Sequence, residues 1–203
     1  MAGRRKSGST GKIKIIGGQW RGRQIQTPAG RNTRPTLNRV REALFNIIQH
    51  EVPGCCFIDL FAGSGAVGFE ALSRGASQVI FVESNPAAQA TLRNNREILG
   101  ADTGCTVINE SVITLNSETL LKPANEHKGE FIIFADPPYA ERDAVIVSLE
   151  TQQLLEECYR EVRPTYTIIQ ARRGGTVPKD WATVRVAQYG ESSLYFVHPE
   201  KVT

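Results

Sequence analysis

The stretch Cys56-Phe57-Ile58-Asp59-Leu60-Phe61-Ala62-Gly63-Ser64-Gly65-Ala66-Val67-Gly68 changes character twice. Its first five residues, apolar but for Asp59, have the length of a strand, its middle is a glycine turn, and Ala66 opens a segment predicted to be helical as far as Ser73. Glycines at a strand-to-helix turn permit a tight bend and let a ligand approach the backbone closely. Gly63-x-Gly65-x-x-Gly68 fits the dinucleotide-binding fingerprint. Glu83, twenty residues after Gly63, ends the next predicted strand, where its carboxylate is placed to accept both hydroxyls of a ribose. On these residues alone a nicotinamide dinucleotide and S-adenosylmethionine fit about equally well.

Outward from this turn the chain alternates. Strands are predicted over 56–60, 78–82, 106–109, 131–135 and 166–170, with helices over 66–73, 86–99, 112–121 and 142–161 between them. Segments 183–188 and 194–197, around Gly190, read as an antiparallel hairpin. Such alternation predicts an α/β fold, a mostly parallel seven-stranded sheet with helices on both faces and this hairpin at its C-terminal end. Upstream, 12–16 and 23–25 read as two strands around a turn at 17–22, and a loop runs from Pro28 to Pro35. Thr36 can then cap a helix with apolar positions Leu37, Val40, Leu44, Ile47 and Ile48. Arg34, Asn38, Arg39 and Arg41 fall off that stripe and are expected to face outward.

The chain has 203 residues, enough for one substantial core, and its 40% hydrophobic and 22% charged composition excludes wholesale disorder. No apolar run has the length of a membrane span, and the basic N-terminus lacks the apolar segment of a secretory signal, so a cytoplasmic location is expected. Four cysteines without a Cys-x-x-Cys pair, and three histidines distant from them, predict neither a disulfide framework nor a metal site. The net charge of +3 hides a division. Residues 1–41 hold eleven of the 24 basic residues and no acid, leaving thirteen basic against 21 acidic in the rest. This asymmetry predicts a flexible basic tail over 1–11, a polyanion-binding hairpin and helix over 12–52, and an acidic domain over 53–203.

Asp136-Pro137-Pro138-Tyr139 follows the fourth strand of the alternating unit. Ligands of open parallel sheets sit at the carboxyl ends of the strands, so this tetrapeptide and the glycine turn should flank one crevice. The prolines donate no N–H and stiffen the backbone. The Asp136 carboxylate and Pro137 carbonyl can then accept both hydrogens of a planar amine, whose lone pair is otherwise delocalised into its ring. Tyr139 offers a face on which an extruded base can stack, worth about 1–3 kcal/mol. These residues tip the balance from a nicotinamide cofactor to S-adenosylmethionine.

Asp59–Gly65, Glu83 and Asp136–Tyr139 resemble the motifs of class I, Rossmann-like, S-adenosylmethionine-dependent methyltransferases acting on amino nitrogens. The block Ile13-Lys14-Ile15-Ile16-Gly17-Gly18-Gln19-Trp20-Arg21-Gly22-Arg23, followed by Arg34-Pro35-Thr36-Leu37-Asn38-Arg39-Val40-Arg41-Glu42-Ala43-Leu44-Phe45-Asn46, is more specific. It is similar to the signature of the bacterial ribosomal small-subunit methyltransferase D family, over roughly residues 12–198. That resemblance implies methylation of N2 of one specific guanine in 16S rRNA, within an assembled or partly assembled small subunit, by a monomer. It makes Asp136, Pro137 and Tyr139 the amine and base contacts. Phe61, Gly63, Ser64 and Gly65 would lie against the cofactor, Asp59 would orient that loop, and Glu83 would hold the ribose. Ser111 and Val112 stand near the adenine, with Ser111 where the family pattern has Asp. Arg21, Arg23, Arg34, Arg39 and Arg41 would contact RNA phosphates.

The expected reaction is direct in-line transfer leaving S-adenosylhomocysteine, with no metal and no covalent intermediate. Adenine-N6 methylation of DNA, glutamine-N5 methylation of a protein, and a catalytically inactive RNA-binding protein on the same fold are the competing readings. The glutamine enzymes usually carry Asn at the position of Asp136, and a basic arm has no obvious use in them.

Overall fold

The computed structural model describes residues 11–28, 35–138 and 145–199, the side chains of 35–37 excepted. A small antiparallel pair, β1 (Lys12–Lys14) and β2 (Gln24–Gln26), sets Ile13 opposite Ile25. Helix α1 (Pro35–Ile47) follows. The alternating unit comprises β3 (Cys56–Leu60), α2 (Ala66–Ser73), β4 (Gln78–Val82), α3 (Pro86–Leu99), β5 (Cys105–Ile108), α4 (Ser117–Leu121), β6 (Phe131–Ala135), α5 (Leu149–Val162) and β7 (Tyr166–Arg172). Strands β8 (Trp181–Tyr189) and β9 (Ser192–Pro199) close the chain.

The seven large strands run in the order β5-β4-β3-β6-β7-β9-β8. The first five are mutually parallel, and β9 inserts antiparallel between β7 and β8. This is the mostly parallel seven-stranded sheet expected from the alternation, and it fits the class I methyltransferase fold that the resemblance implies. One sheet face packs the N-terminal pair, α1, α2 and α3 through Ile13, Ile25, Leu44, Phe69 and Leu92. The other packs α4 and α5 through Leu120, Leu154 and Cys158. Burial on both faces explains why β6 is an unbroken apolar run and why β3 is broken only by Asp59.

Two helices are shorter than their sequence pattern predicts. Residues 112–115 form a turn, because the Ser111 carbonyl accepts from Thr114 and Leu115 N–H, both at 3.1 Å, and its hydroxyl from Ile113 N–H. Asn116 then caps α4 afresh, accepting from the Thr119 N–H at 2.8 Å. Likewise α5 starts at Leu149, behind a Ser148 cap, and Ile146 and Val147 before it are buried but not helical. Its expected start at 142 lies outside the described residues. No helix among the described residues is long and apolar enough to cross a membrane.

Candidate active site

Strand β3 is flanked by β4 on one side and β6 on the other, so chain direction through the sheet reverses there. The loops after β3 and β6 therefore diverge and leave a crevice at the carboxyl ends of the strands. The β3 loop starts with strain: Phe61 has φ 66°. Gly65 caps α2 at φ 77°, and an added Cβ would come within 2.7 Å of the Phe69 ring, so only glycine fits. A cavity of about 140 Å³ opens here. Asp59, Phe61, Gly63 and Ser64 line it from the β3 side and Asp136 from the β6 side. The structure thus brings the glycine turn and the Asp136 motif to one site. Pro137 is half-buried beside it, while Tyr139 lies outside the described residues.

Three carboxylates shape the electrostatics. Asp59 is 2% exposed and accepts from the Gly68 N–H at 2.9 Å. Burial pushes its carboxyl up to about 8; the Gly68 hydrogen bond opposes this, and the charges of Asp136 and Glu83 add to it. Glu83 accepts from Gly63 N–H on one oxygen and Asn85 N–H on the other, each at 2.7 Å. It ties the glycine turn to the start of α3, and each oxygen keeps a further lone pair for a ribose hydroxyl. A sulfonium or an ammonium suits such a set of carboxyls, since a bound cation favours the ionised form of Asp59. Ser111, half-buried, and Val112, buried, follow β5. With Glu83 they lie outside the cavity lining, along the strand ends beyond it.

The N-terminal unit is latched to this domain by buried polar groups. Glu70, at 0% exposure, accepts from the Ile16 and Gly17 N–H groups at 2.7 Å each and from Arg74 Nε at 2.8 Å. Gly18 approaches the end of α2 so closely that an added Cβ would sit 1.8 Å from the Ser73 carbonyl oxygen. Asn95, also 0% exposed, accepts from Gln26 N–H and donates to the Gln26 and Ser64 carbonyls at 2.7, 2.8 and 2.9 Å. One side chain thereby joins β2 to the glycine turn.

The cationic residues separate accordingly. Arg41 does not face outward: it is 5% exposed, donates to the Lys14 carbonyl at 2.6 Å and stands 3.8 Å from Glu70. Burial lowers the pKa of its guanidinium, with Glu70 opposing the shift. A position one turn from Leu37 and Leu44 is close enough to the helix's apolar face for a long side chain to fold inward. Arg23 is exposed along its stem, but its guanidinium donates to the Leu99 and Ile98 carbonyls at the end of α3. Arg21 and Arg39 are exposed, and Arg34 lies outside the described residues.

Comparison with known proteins agrees with this geometry. The family described as conserved hypothetical protein 95 matches residues 13–198. Ribosomal RNA small subunit methyltransferase D of Escherichia coli K12 is 37% identical over 188 residues, covering 91% of this chain and 88% of that protein. The chain belongs to the methyltransferase D family. The protein of the same name in Buchnera aphidicola of Acyrthosiphon pisum is 33% identical and covers 84% of each chain. The solved structure of Escherichia coli yhhF, proposed to be a methyltransferase, superposes with a TM-score of 0.71 at 31% identity, over 92% of this chain and 97% of that one.

Sequence reasoning missed Glu70, Asn95, Thr27 and Gln170. Glu70 and Gln170 had a faint signal, a single polar residue inside an otherwise apolar stretch, Phe69-Glu70-Ala71-Leu72 and Ile168-Ile169-Gln170-Ala171; Asn95, between Asn94 and Arg96, and Thr27, between Gln26 and Pro28, had none.

Proposed function

We propose that this member of the methyltransferase D family methylates the N2 amine of a guanine in 16S rRNA, in an assembled or partly assembled small ribosomal subunit. It acts in the cytoplasm as a monomer. The observation that carries the reading is one cavity lined by both Asp136 and the glycine turn. When bound, S-adenosylmethionine supplies an activated methyl group and leaves as S-adenosylhomocysteine. Phe61, Gly63, Ser64 and Gly65 hold its methionine end, with the Asp59 and Asp136 carboxylates countering its positive charge. Glu83 takes the ribose, and Ser111 with Val112 borders the adenine.

Asp136 accepts a hydrogen from the guanine amine and the Pro137 carbonyl accepts the other. That holds the nitrogen in place and stabilises the positive charge it develops, so positioning and fixed acceptors supply most of the catalysis. Tyr139 is assigned the stacking face for the extruded base. The deciding experiment is transfer of tritiated methyl groups to small subunits from a strain lacking the gene, followed by nucleoside analysis. N2-methylguanosine is expected. N6-methyladenosine would overturn the assignment, as would binding of NADH in preference to S-adenosylmethionine.

A further inference from the structure

The wall of the cavity beside Asp136 carries a polar side chain that neither motif explains. Gln170 is 6% exposed and lines the cavity. It sits on β7, whose register places Ile169 against Ala135 of β6. Gln170 on β7 and Asp136, the residue just past the end of β6, are the next pair along, and both line the cavity. Around them the sheet face carries the buried Phe134, Ile168 and Leu194, with Asp59 of β3 beside Phe134 as a further polar side chain at the cavity. Across the cavity Thr27, 5% exposed, lines the wall formed by the N-terminal unit, and its hydroxyl oxygen is buried without a hydrogen-bond partner. Buried polar atoms are normally satisfied, so this site is built for a ligand that brings polar groups of its own.

We propose that Gln170 reads the edge of the target base next to the amine held by Asp136, and so selects guanine over adenine. This rests on the methyltransferase reading given above. On guanine the N2 amine is followed along the base edge by the N1–H donor and then the O6 acceptor. A primary amide presents an acceptor and a donor in one plane and satisfies both at once. On adenine the N6 amine is followed by the N1 acceptor and then a C–H. The amide can meet only the first of these, and its carbonyl oxygen is left facing carbon. Sites built to hydrogen-bond a substrate reject analogues lacking the partner far better than apolar pockets reject extra bulk. Phe134 and Leu44 supply apolar walls without directional preference; Arg41 and Asp59 also line the cavity, but from α1 and β3, so Gln170 is the polar side chain next to Asp136 along the base edge.

The test uses small subunits reconstituted with 16S rRNA in which the methylated guanosine is replaced by 2-aminopurine. That base keeps the amine and lacks both N1–H and O6. Wild-type enzyme should show kcat/KM at least tenfold lower on the substituted rRNA. In Gln170→Leu, kcat/KM on guanine should fall at least tenfold, the preference should collapse to about twofold, and affinity for S-adenosylhomocysteine should stay within twofold. The near-isosteric Gln170→Met keeps the volume and offers N1–H and O6 no comparable partner, so its preference should collapse likewise; it also serves if the leucine variant fails to fold. A full wild-type preference in either variant, or none in the wild type, overturns the proposal. Failure of the underlying reading looks different: no methyl group reaches guanine N2 even in wild-type enzyme.

Discussion

Glu70 and Asp59 are both sealed from solvent, at 0% and 2% exposure, and both belong to the packing around helix α2, yet their surroundings are opposite. Glu70 meets the guanidinium of Arg74 at 2.8 Å, that of Arg41 at 3.8 Å and two backbone N–H groups. Asp59 has the Gly68 N–H and, for charged company, Asp136 and Glu83. The first carboxylate is compensated within the protein and faces no cavity; it fastens the N-terminal unit. Among the described residues the second has no ion pair at the edge of the cavity, which is the state expected of a group that meets a cationic ligand. Burial alone does not tell a structural carboxylate from a functional one; its neighbours do.

Breaking the compensated side should have the largest effect. In Glu70→Ala the Arg41 guanidinium stays buried with no counter-charge, and the Ile16 and Gly17 amides lose their acceptor. Removing one partner of a buried pair costs about 3–5 kcal/mol. Urea unfolding should show the midpoint fall accordingly. An unshifted midpoint would mean that the N-terminal unit is held by apolar packing alone.

At the cavity, Asp136→Ala should lower turnover about 10²–10³-fold, the usual effect of losing one preorganised hydrogen-bonding group in a transition state. Affinity for S-adenosylhomocysteine, read by calorimetry, should stay within a few-fold, because the partner of Asp136 is the substrate amine. If binding and turnover fell together, Asp136 would belong to the cofactor site.

How far the sequence foretold these two sites differs for a physical reason. The sheet was legible because β4 and β6, and β3 apart from Asp59, are short, largely apolar runs between glycine and proline signals. The cavity was legible where its chemistry lies in contiguous motifs, at 59–68 and 136–139. Glu70 was not, because its partners lie 53 and 54 residues away along the chain, and nothing local distinguishes a buried latch from a solvated helical acid. Arg41 was misjudged for the same reason. Helical spacing separates two faces but does not reveal that Lys14 and Glu70 wait beside one of them.

Asp59→Asn sharpens the comparison through its opposite effects on stability and binding. The native carboxyl titrates at about 8 against an ordinary 3.8, so between these values the folded protein keeps a proton that the unfolded chain has lost. Stability therefore falls as pH rises through that window. Asparagine removes this titration and still offers an oxygen to the Gly68 N–H. The ligand-free variant should melt several degrees above wild type near pH 8, at about 2–4 °C per kcal/mol for a chain of this size. The gain should shrink toward pH 4. Affinity for S-adenosylhomocysteine at pH 8 should fall, since the ligand's ammonium loses a counter-charge. A variant no more stable than wild type at pH 8 would show that Asp59 is compensated after all.

The smallest effects are expected on the outer surface of the N-terminal unit, where cations are neither buried nor latched. Arg21 and Arg39 are exposed, and α1, which carries Arg39, also lines the cavity through Leu44, so its cations are fixed relative to the crevice. If they hold RNA phosphates, each removal should flatten the log–log salt dependence of RNA binding, by about 0.9 on duplex and about 0.7 on single strands. The double variant Arg21→Ala/Arg39→Ala should lose about twice that slope while its cofactor affinity and melting temperature hold. Arg23→Ala is the internal control. Its guanidinium is committed to the Leu99 and Ile98 carbonyls at the end of α3, so its loss should cost about 0.3–1 kcal/mol of stability and change the salt slope less. Arg41→Ala belongs with the latch and should destabilise the fold. A salt slope unchanged in the Arg21/Arg39 variant would mean that RNA docks on another face, and that the excess of positive charge over residues 1–41 serves solubility there.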